Sequence, residues 1–188
     1  MKMIDLKVEP IKYVSEESFR PYGQIFGLEK GKPTEDYSFL KCWWKNINVE
    51  LTGNEKIGYN YCTAKRITSK EVAELKQKNL LAEWLKNFKG SSIVNILERH
   101  PTTTETFFFL EGDAIFVMAP PDPSKSQPDL SKVRAFLLDT SLSISLSKGT
   151  WHWPPIPVYE NTKFCIVCSG TLDDFDRVNL DVEYRLVM

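Results

Sequence analysis

From residue 91 onward, apolar and polar side chains alternate with a period of two, and no other feature of the chain constrains its fold as much. Such alternation sends one row of side chains into a core and the other away from it, as in a half-buried strand. Ser92–His100, 105–110, 113–118, Val133–Leu138, Lys163–Ser169 and Val182–Val187 all read as strands. Ser141–Ser147 is the strictest case, with Leu142, Ile144 and Leu146 opposed to four serines. Between these runs lie turn signals: Glu111-Gly112, the Pro-rich loop 119–127, Lys148-Gly149, and a connection stiffened by Pro154, Pro155 and Pro157. Many short strands at even spacing predict a small barrel or jelly roll.

The first half is less regular. Residues 4–13 read as an extended lead-in, and Ser15–Arg20 as a helical turn ended by Pro21 and Gly23. Residues 28–38 read as a charged loop. Cys42–Val49 and Tyr59–Ile67 read as strands. Thr68 and Glu71 fit a capping box; Val72, Leu75, Leu81, Trp84, Leu85 and Phe88 then recur at helical spacing up to Gly90. This amphipathic helix is expected to cover a sheet face. The expected organisation is one mainly β domain over 1–188, with strands and helix in 1–90 and barrel strands in 91–188.

Composition removes several function classes. With 24 basic and 25 acidic residues, the net charge is −1, without the basic surplus that neutralises nucleic-acid phosphates. The longest apolar stretch, 107–119, is broken by Glu111 and Asp113 and falls short of the ~20 residues a bilayer needs. Asp5 and the lack of an apolar core near the start argue against a secretory signal, so a cytosolic setting is expected. Cys165 and Cys168 form a CxxC, but on a strand their side chains face opposite sides, and no second pair completes a zinc ribbon. They read as reduced, buried thiols.

The chain has only two histidines, and each lies in a patterned segment. The first is Glu98-Arg99-His100-Pro101-Thr-Thr-Thr-Glu105, followed by Gly112. The second is Ser147-Lys148-Gly149-Thr150-Trp151-His152. Together they resemble the two cupin motifs. Thr102 stands where the first motif has its second histidine, and Ser147 where the second has its proline. Two histidines and a carboxylate form a minimal divalent-metal site with open positions. The resemblance thus implies His100, Glu105 and His152 as metal ligands, though a cupin that has lost one ligand can equally keep the pocket and bind no metal. The serine face of 141–147 is expected to lead towards the cavity.

A narrower resemblance, densest between residues 98 and 154, is to the ureidoglycolate lyase family. It rests on Glu98-Arg99-His100-Pro101, Phe107, Ala119-Pro120, Arg134-Ala135-Phe136, Gly149-Thr150-Trp151-His152 with Pro154, and Phe19-x-Pro21-Tyr22-Gly23. It implies a cupin-like double-stranded β-helix, commonly homodimeric, that cleaves ureidoglycolate to glyoxylate and urea in allantoin and purine catabolism. The family usually has Gln at the position of Glu105, a His-Arg or His-Lys pair where Ser147-Lys148 stands, and often a histidine at Trp153.

Such a reaction needs a base for the carbinol hydroxyl and an acid for the departing nitrogen. His100, His152 and Glu98 are the candidate catalytic residues, since a neutral imidazole suits the base and an inward carboxyl gains proton affinity on desolvation. Lys148, Arg99 and Trp151 are the candidate substrate-binding residues. Strand parity turns Arg99 away from Glu98 and His100, however, so an outer-face pair with a carboxylate competes for it. Trp151, Trp153, Tyr59 and Tyr61 are equally core or pocket wall. The expected partner is a small polar substrate. The alternatives are another metal-dependent cupin enzyme, a sugar isomerase or an oxygenase, and a non-catalytic cupin that binds a small ligand.

Overall fold

A computed structural model describes residues 1–27, 57–65, 93–122, 124, 126–158, 161–169 and 176–188. The predicted helix over 68–90, the strand over 42–49 and the loop over 28–38 lie outside the described residues. So do the side chains of Tyr59 and Tyr61.

The alternating segments form strands. Chain order gives β1 (Lys2–Pro10), α1 (Glu16–Phe19), β2 (Gly23–Gly27), β3 (Ile57–Lys65), β4 (Ile93–Arg99), β5 (Glu105–Glu111) and β6 (Ala114–Ala119). There follow β7 (Arg134–Leu138), β8 (Leu142–Leu146), β9 (Trp151–His152), β10 (Ile156–Pro157), β11 (Asn161–Ser169) and β12 (Asp176–Val187). The four-residue α1 begins where Ser15 accepts a hydrogen bond from the Ser18 amide at 3.1 Å.

One sheet runs β10-β6-β7-β1-β12-β4-β9, and β9 also pairs with β6. That last pairing closes β6, β7, β1, β12, β4 and β9 into a six-stranded ring. The second sheet runs β2-β8-β5-β11-β3. The architecture is mainly β, as the strand pattern predicts, and the closed ring facing a second sheet agrees with the cupin-like barrel that the motif resemblance implies. Two unpredicted features complete it. β1 lies parallel to both β7 and β12, and the proline-stiffened connection after Gly149 runs along one edge of β6 as β9 and β10.

Two cores follow from this arrangement. Val8, Ile115, Val117, Ala119, Ala135, Trp151, Leu180 and Tyr184 cluster inside the ring. Phe107, Phe109, Ile144, Leu146 and Phe164 of the second sheet meet Ala114, Phe116, Met118, Phe136 and Leu138 of the first. β6 is the wall between the two cores. Its even positions, 114, 116 and 118, pack between the sheets, and its odd positions, 115, 117 and 119, pack within the ring. Burial on both faces makes β6 uniformly apolar rather than alternating.

The serine row of β8 corrects an expectation. Ile144 and Leu146 face the space between the sheets, while Ser145 pairs with Thr106 on the other face, their hydroxyls 2.9 Å apart. The apolar face of β8, not the serine face, is therefore the one turned towards the interior. Cys165 and Cys168 are half-buried thiols on β11.

Candidate active site

The site forms where β9 closes the ring. β9 is two residues long, and His152 lies opposite Glu98 of β4 on one side and Met118 of β6 on the other. Directly opposed residues share a face, so Glu98, His152 and Met118 point the same way, into the space between the sheets. The imidazole of His152 lies among Phe107 and Phe116, with ring centroids 6.3 and 6.5 Å away. Trp151, one residue earlier, points into the ring core.

The turn before β9 holds this geometry. The Gly149 amide donates to the His100 carbonyl at 2.8 Å, tying the two motif segments together. The Ser147 amide and the Thr150 hydroxyl both donate to the Tyr22 carbonyl, at 3.0 and 2.8 Å. The Phe19-x-Pro21-Tyr22-Gly23 segment thus braces the second motif. Gly149 has φ +78°, a conformation that side chains with a Cβ rarely adopt.

Four of the predicted residues come together. His152 Nε2 is 3.0 Å from Glu105 Oε2 and 4.0 Å from Glu98 Oε1, and His100 Nε2 is 3.6 Å from Glu105 Oε2. One ligand atom from each of His100, Glu105 and His152 fits within 4.8 Å of the others. His152 Nδ1 lies 3.1 Å from the Thr150 carbonyl, an acceptor only, so Nδ1 carries a proton and Nε2 faces Glu105. Oε2 of Glu105 is buried, and no hydrogen bond of good geometry reaches it despite the short contact. Two acceptor lone pairs this close need a cation between them. Either a proton on Nε2, giving an imidazolium–carboxylate pair, or a metal ion satisfies the need. His100, Glu105 and His152 therefore fit a metal ion, with the Thr150 carbonyl orienting one ligand ring.

Electrostatics separate the two carboxylates. Burial raises the pKa of Glu98 above the usual carboxylate value, and His152, Arg177 and His100 offset this only partly. Burial opposes ionisation of Glu105 as well, but the close approach and charge of His152, with the charge of His100, bring its pKa below the usual value. For His152, burial disfavours the charged form, but Glu105, Glu98 and the Thr150 carbonyl outweigh it and raise the pKa.

The other predicted residues lie elsewhere. Arg99 occupies the opposite face of β4, where it grips Asp176 with Nε at 2.8 Å and Nη2 at 2.7 Å. Its guanidinium lies 4.7 Å from the ring centroid of Trp151, which is fully buried in the ring core. Lys148 is half-buried in the turn before β9. Arg177 of β12, which sequence reasoning passed over, stands opposite Glu98, with Nη2 3.6 Å from Oε2. It belongs to no motif, and only the β12–β4 register finds it.

A closed ring, an opposed second sheet and a buried His/Glu/His group define a cupin-like protein with an interior site. The family model described as ureidoglycolate lyase matches residues 3–187, and the chain belongs to that family of carbon–nitrogen lyases. The chain is 24% identical over 184 residues to a ureidoglycolate lyase of Saccharomyces cerevisiae, covering 89% of this chain and 88% of that enzyme. It is 33% identical over 84 residues to a ureidoglycolate lyase of Salmonella typhimurium, covering 45% of this chain and 51% of that enzyme. Among solved structures, a vicilin from Solanum melongena aligns with a TM-score of 0.35 and 11% identity, over 70% of this chain and 32% of the vicilin. A Bacillus subtilis oxalate decarboxylase variant aligns with a TM-score of 0.32 and 14% identity, over 71% of this chain and 30% of that one.

Proposed function

We propose that the protein cleaves ureidoglycolate to glyoxylate and urea. The observation that carries this reading is the opposed tuning of Glu98 and Glu105 around His152, in a chain of this family. Paired groups driven apart in proton affinity mark an acid/base assignment.

Cleavage breaks one carbon–nitrogen bond. The carbinol hydroxyl loses its proton and becomes the aldehyde carbonyl, and the bonding electrons leave with the urea nitrogen, which gains a proton. Glu98 suits both transfers: it takes the hydroxyl proton and returns it to the nitrogen, so that none is consumed. Its raised pKa brings it closer to working pH, where such exchange is efficient. Glu105 stays ionised and holds His152 in place, and Thr150 fixes the ring's orientation. His100 stands on the other side of Glu105, at the more exposed edge of the group. A divalent ion held by His100, Glu105 and His152 would supply Lewis-acid polarisation of the substrate's oxygens.

The test incubates purified protein with ureidoglycolate, with and without chelator, and measures urea and glyoxylate. Release in equal amounts is expected, with loss of about 100-fold or more in Glu98→Gln and His152→Ala, in line with removal of a positioned acid/base. No release above background under any metal condition overturns the reading. The family resemblance also carries a homodimer, which light scattering at twice 21.7 kDa tests.

A further inference from the structure

β9 carries His152 but is thinly attached to β4. Two register pairs, Met118 with His152 and Ala119 with Trp151, hold it to β6, and the Trp153 amide donates to the Val117 carbonyl at 2.9 Å. Towards β4 it has one register pair among the described residues, Glu98 with His152. The link from the Gly149 amide to the His100 carbonyl lies before its first residue. The separation that matters to the site, 4.0 Å from His152 Nε2 to Glu98 Oε1, spans this weaker ladder.

The next rung lies on the other face. Continuing the antiparallel register by one residue sets Arg99 beside Trp151, and the two side chains meet, with the guanidinium carbon 4.7 Å from the indole centroid. On β12, Asp176 is the register partner of Arg99. Arg99 Nε and Nη2 converge on Asp176 Oδ2 at 2.8 and 2.7 Å, so the guanidinium is pinned to β12 while it lies over an indole of β9. The Arg99 side chain is 12% exposed and Trp151 is fully buried, and a cation over a ring gains strength where water is removed. The indole Nε1 is buried and has no hydrogen-bond acceptor among the described residues. Arg99 therefore supplies the directional contact on a ring otherwise held by apolar packing.

We infer that Arg99 is a positioning residue that places His152. It acts through Trp151: by fixing the indole against β4, it fixes the two-residue β9, and with it the place of the next side chain beside Glu98. Its effect on turnover rests on the ureidoglycolate reading; its effect on the His152 ring does not. This task differs from both sequence expectations for Arg99, a ligand of the substrate and an outer-face ion pair. A ligand that binds substrate and transition state alike acts on KM. A residue that sets the spacing of the reacting groups acts on kcat, and a displacement of about 1 Å costs on the order of 100-fold.

The experiment compares the wild-type chain with Arg99→Met, which keeps an apolar stem and loses the charged plane, and with Arg99→Lys, which keeps the charge. Arg185→Met is the control, since it removes an exposed arginine–aspartate pair between β12 and β1. The first readout is the ring spectrum of His152 by NMR at fixed pH, which a chain with two histidines makes tractable. Arg99→Met is expected to move the His152 ring signals and Arg185→Met to leave them in place. An ion pair that only stabilises the fold would leave them in place in both folded variants. The second readout is kcat and KM for ureidoglycolate. Arg99→Met is expected to lower kcat about 10- to 100-fold with KM nearly unchanged. Arg99→Lys falls between, because an ammonium is a point charge without the guanidinium plane. If Arg99→Met does not fold, as judged by thermal melting, Arg99→Lys carries both comparisons. An unmoved His152 spectrum, an unchanged kcat or a loss confined to KM overturns the inference. A moved spectrum, where the wild type releases no urea, overturns the proposed reaction and leaves Arg99 as the residue that places His152.

Discussion

Burial alone would drive both Glu105 and His152 towards neutrality, yet each keeps the other charged across 3.0 Å. His152 has a raised pKa, so its share of the stabilisation is complete below its ordinary value of 6.5 and is lost as pH rises through the raised value. Glu105 has a lowered pKa, so its share is complete above 4.5 and is lost as pH falls through the lowered value. Replacing Glu105 with Gln is expected to lower the His152 pKa, seen by following its ring protons by NMR. The same change flattens both edges of the stability–pH curve, measured by urea unfolding between pH 4 and 9; a curve that keeps both edges would show that the pair does not couple. At this scale the sequence was informative wherever chemistry follows spacing. His100, Glu105 and His152 sit at motif intervals, and those intervals survive folding. Arg177 was invisible because its position depends on the register between β4 and a strand beginning 77 residues after Arg99.

Short elements place these residues, and their glycines set the tolerances. An alanine Cβ at Gly149 would meet nothing closer than the Pro121 Cγ at 4.0 Å, so Gly149→Ala costs only the positive φ, about 1–2 kcal/mol. At Gly23 a Cβ would stand 2.0 Å from the Ser145 carbonyl oxygen, and β2 would have to leave β8. Gly23→Ala is therefore expected to destabilise more than Gly149→Ala, as denaturant midpoints would show; equal midpoints would contradict the close β2–β8 approach. Gly149→Ala also disturbs the link to His100, so it should lower activity even where the protein stays folded. Alternation, aromatic and β-branched runs, and turn signals made β4, β5, β6, β7, β8 and β11 legible. β2 was not, because five residues with a glycine at each end carry no period. β9 and β10 were hidden by Pro154, Pro155 and Pro157, which signal a loop even where the chain lies along a strand edge.

At the scale of the molecule, β1 is the strand on which ring closure depends. It joins β7 to β12, and its outer positions are tied by Glu9 to Arg134 and by Asp5 to Arg185. The Arg134 fork is bidentate, with Nε at 2.8 Å and Nη2 at 2.7 Å from the Glu9 carboxylate. Glu9 is partly exposed, so screening limits Glu9→Gln to about 1 kcal/mol or less, measured as a shift in unfolding midpoint. The hydrogen bond and charge of Arg134 lower the Glu9 pKa against a smaller effect of burial, so this contribution fades as pH falls through that lowered value. Deleting residues 1–10 is a far larger change, leaving the edges of β7 and β12 unpaired. It is expected to abolish cooperative unfolding and promote aggregation, visible by circular dichroism and light scattering. A soluble, cooperatively unfolding truncation would show that the ring does not need β1. None of this was legible in the sequence, where residues 4–13 gave only an extended segment without a partner.

Asp5 and Arg185 are 180 positions apart in the chain, yet their side chains meet at 2.7 Å. β1 thus finds one of its two neighbours only when synthesis reaches β12. Until then an unpaired strand edge is exposed, and the hairpins of the second half can form before the ring does. Folding should therefore be slow, governed by a late encounter of β1 with β12, and the nascent chain is a natural client for chaperones that shield strand edges.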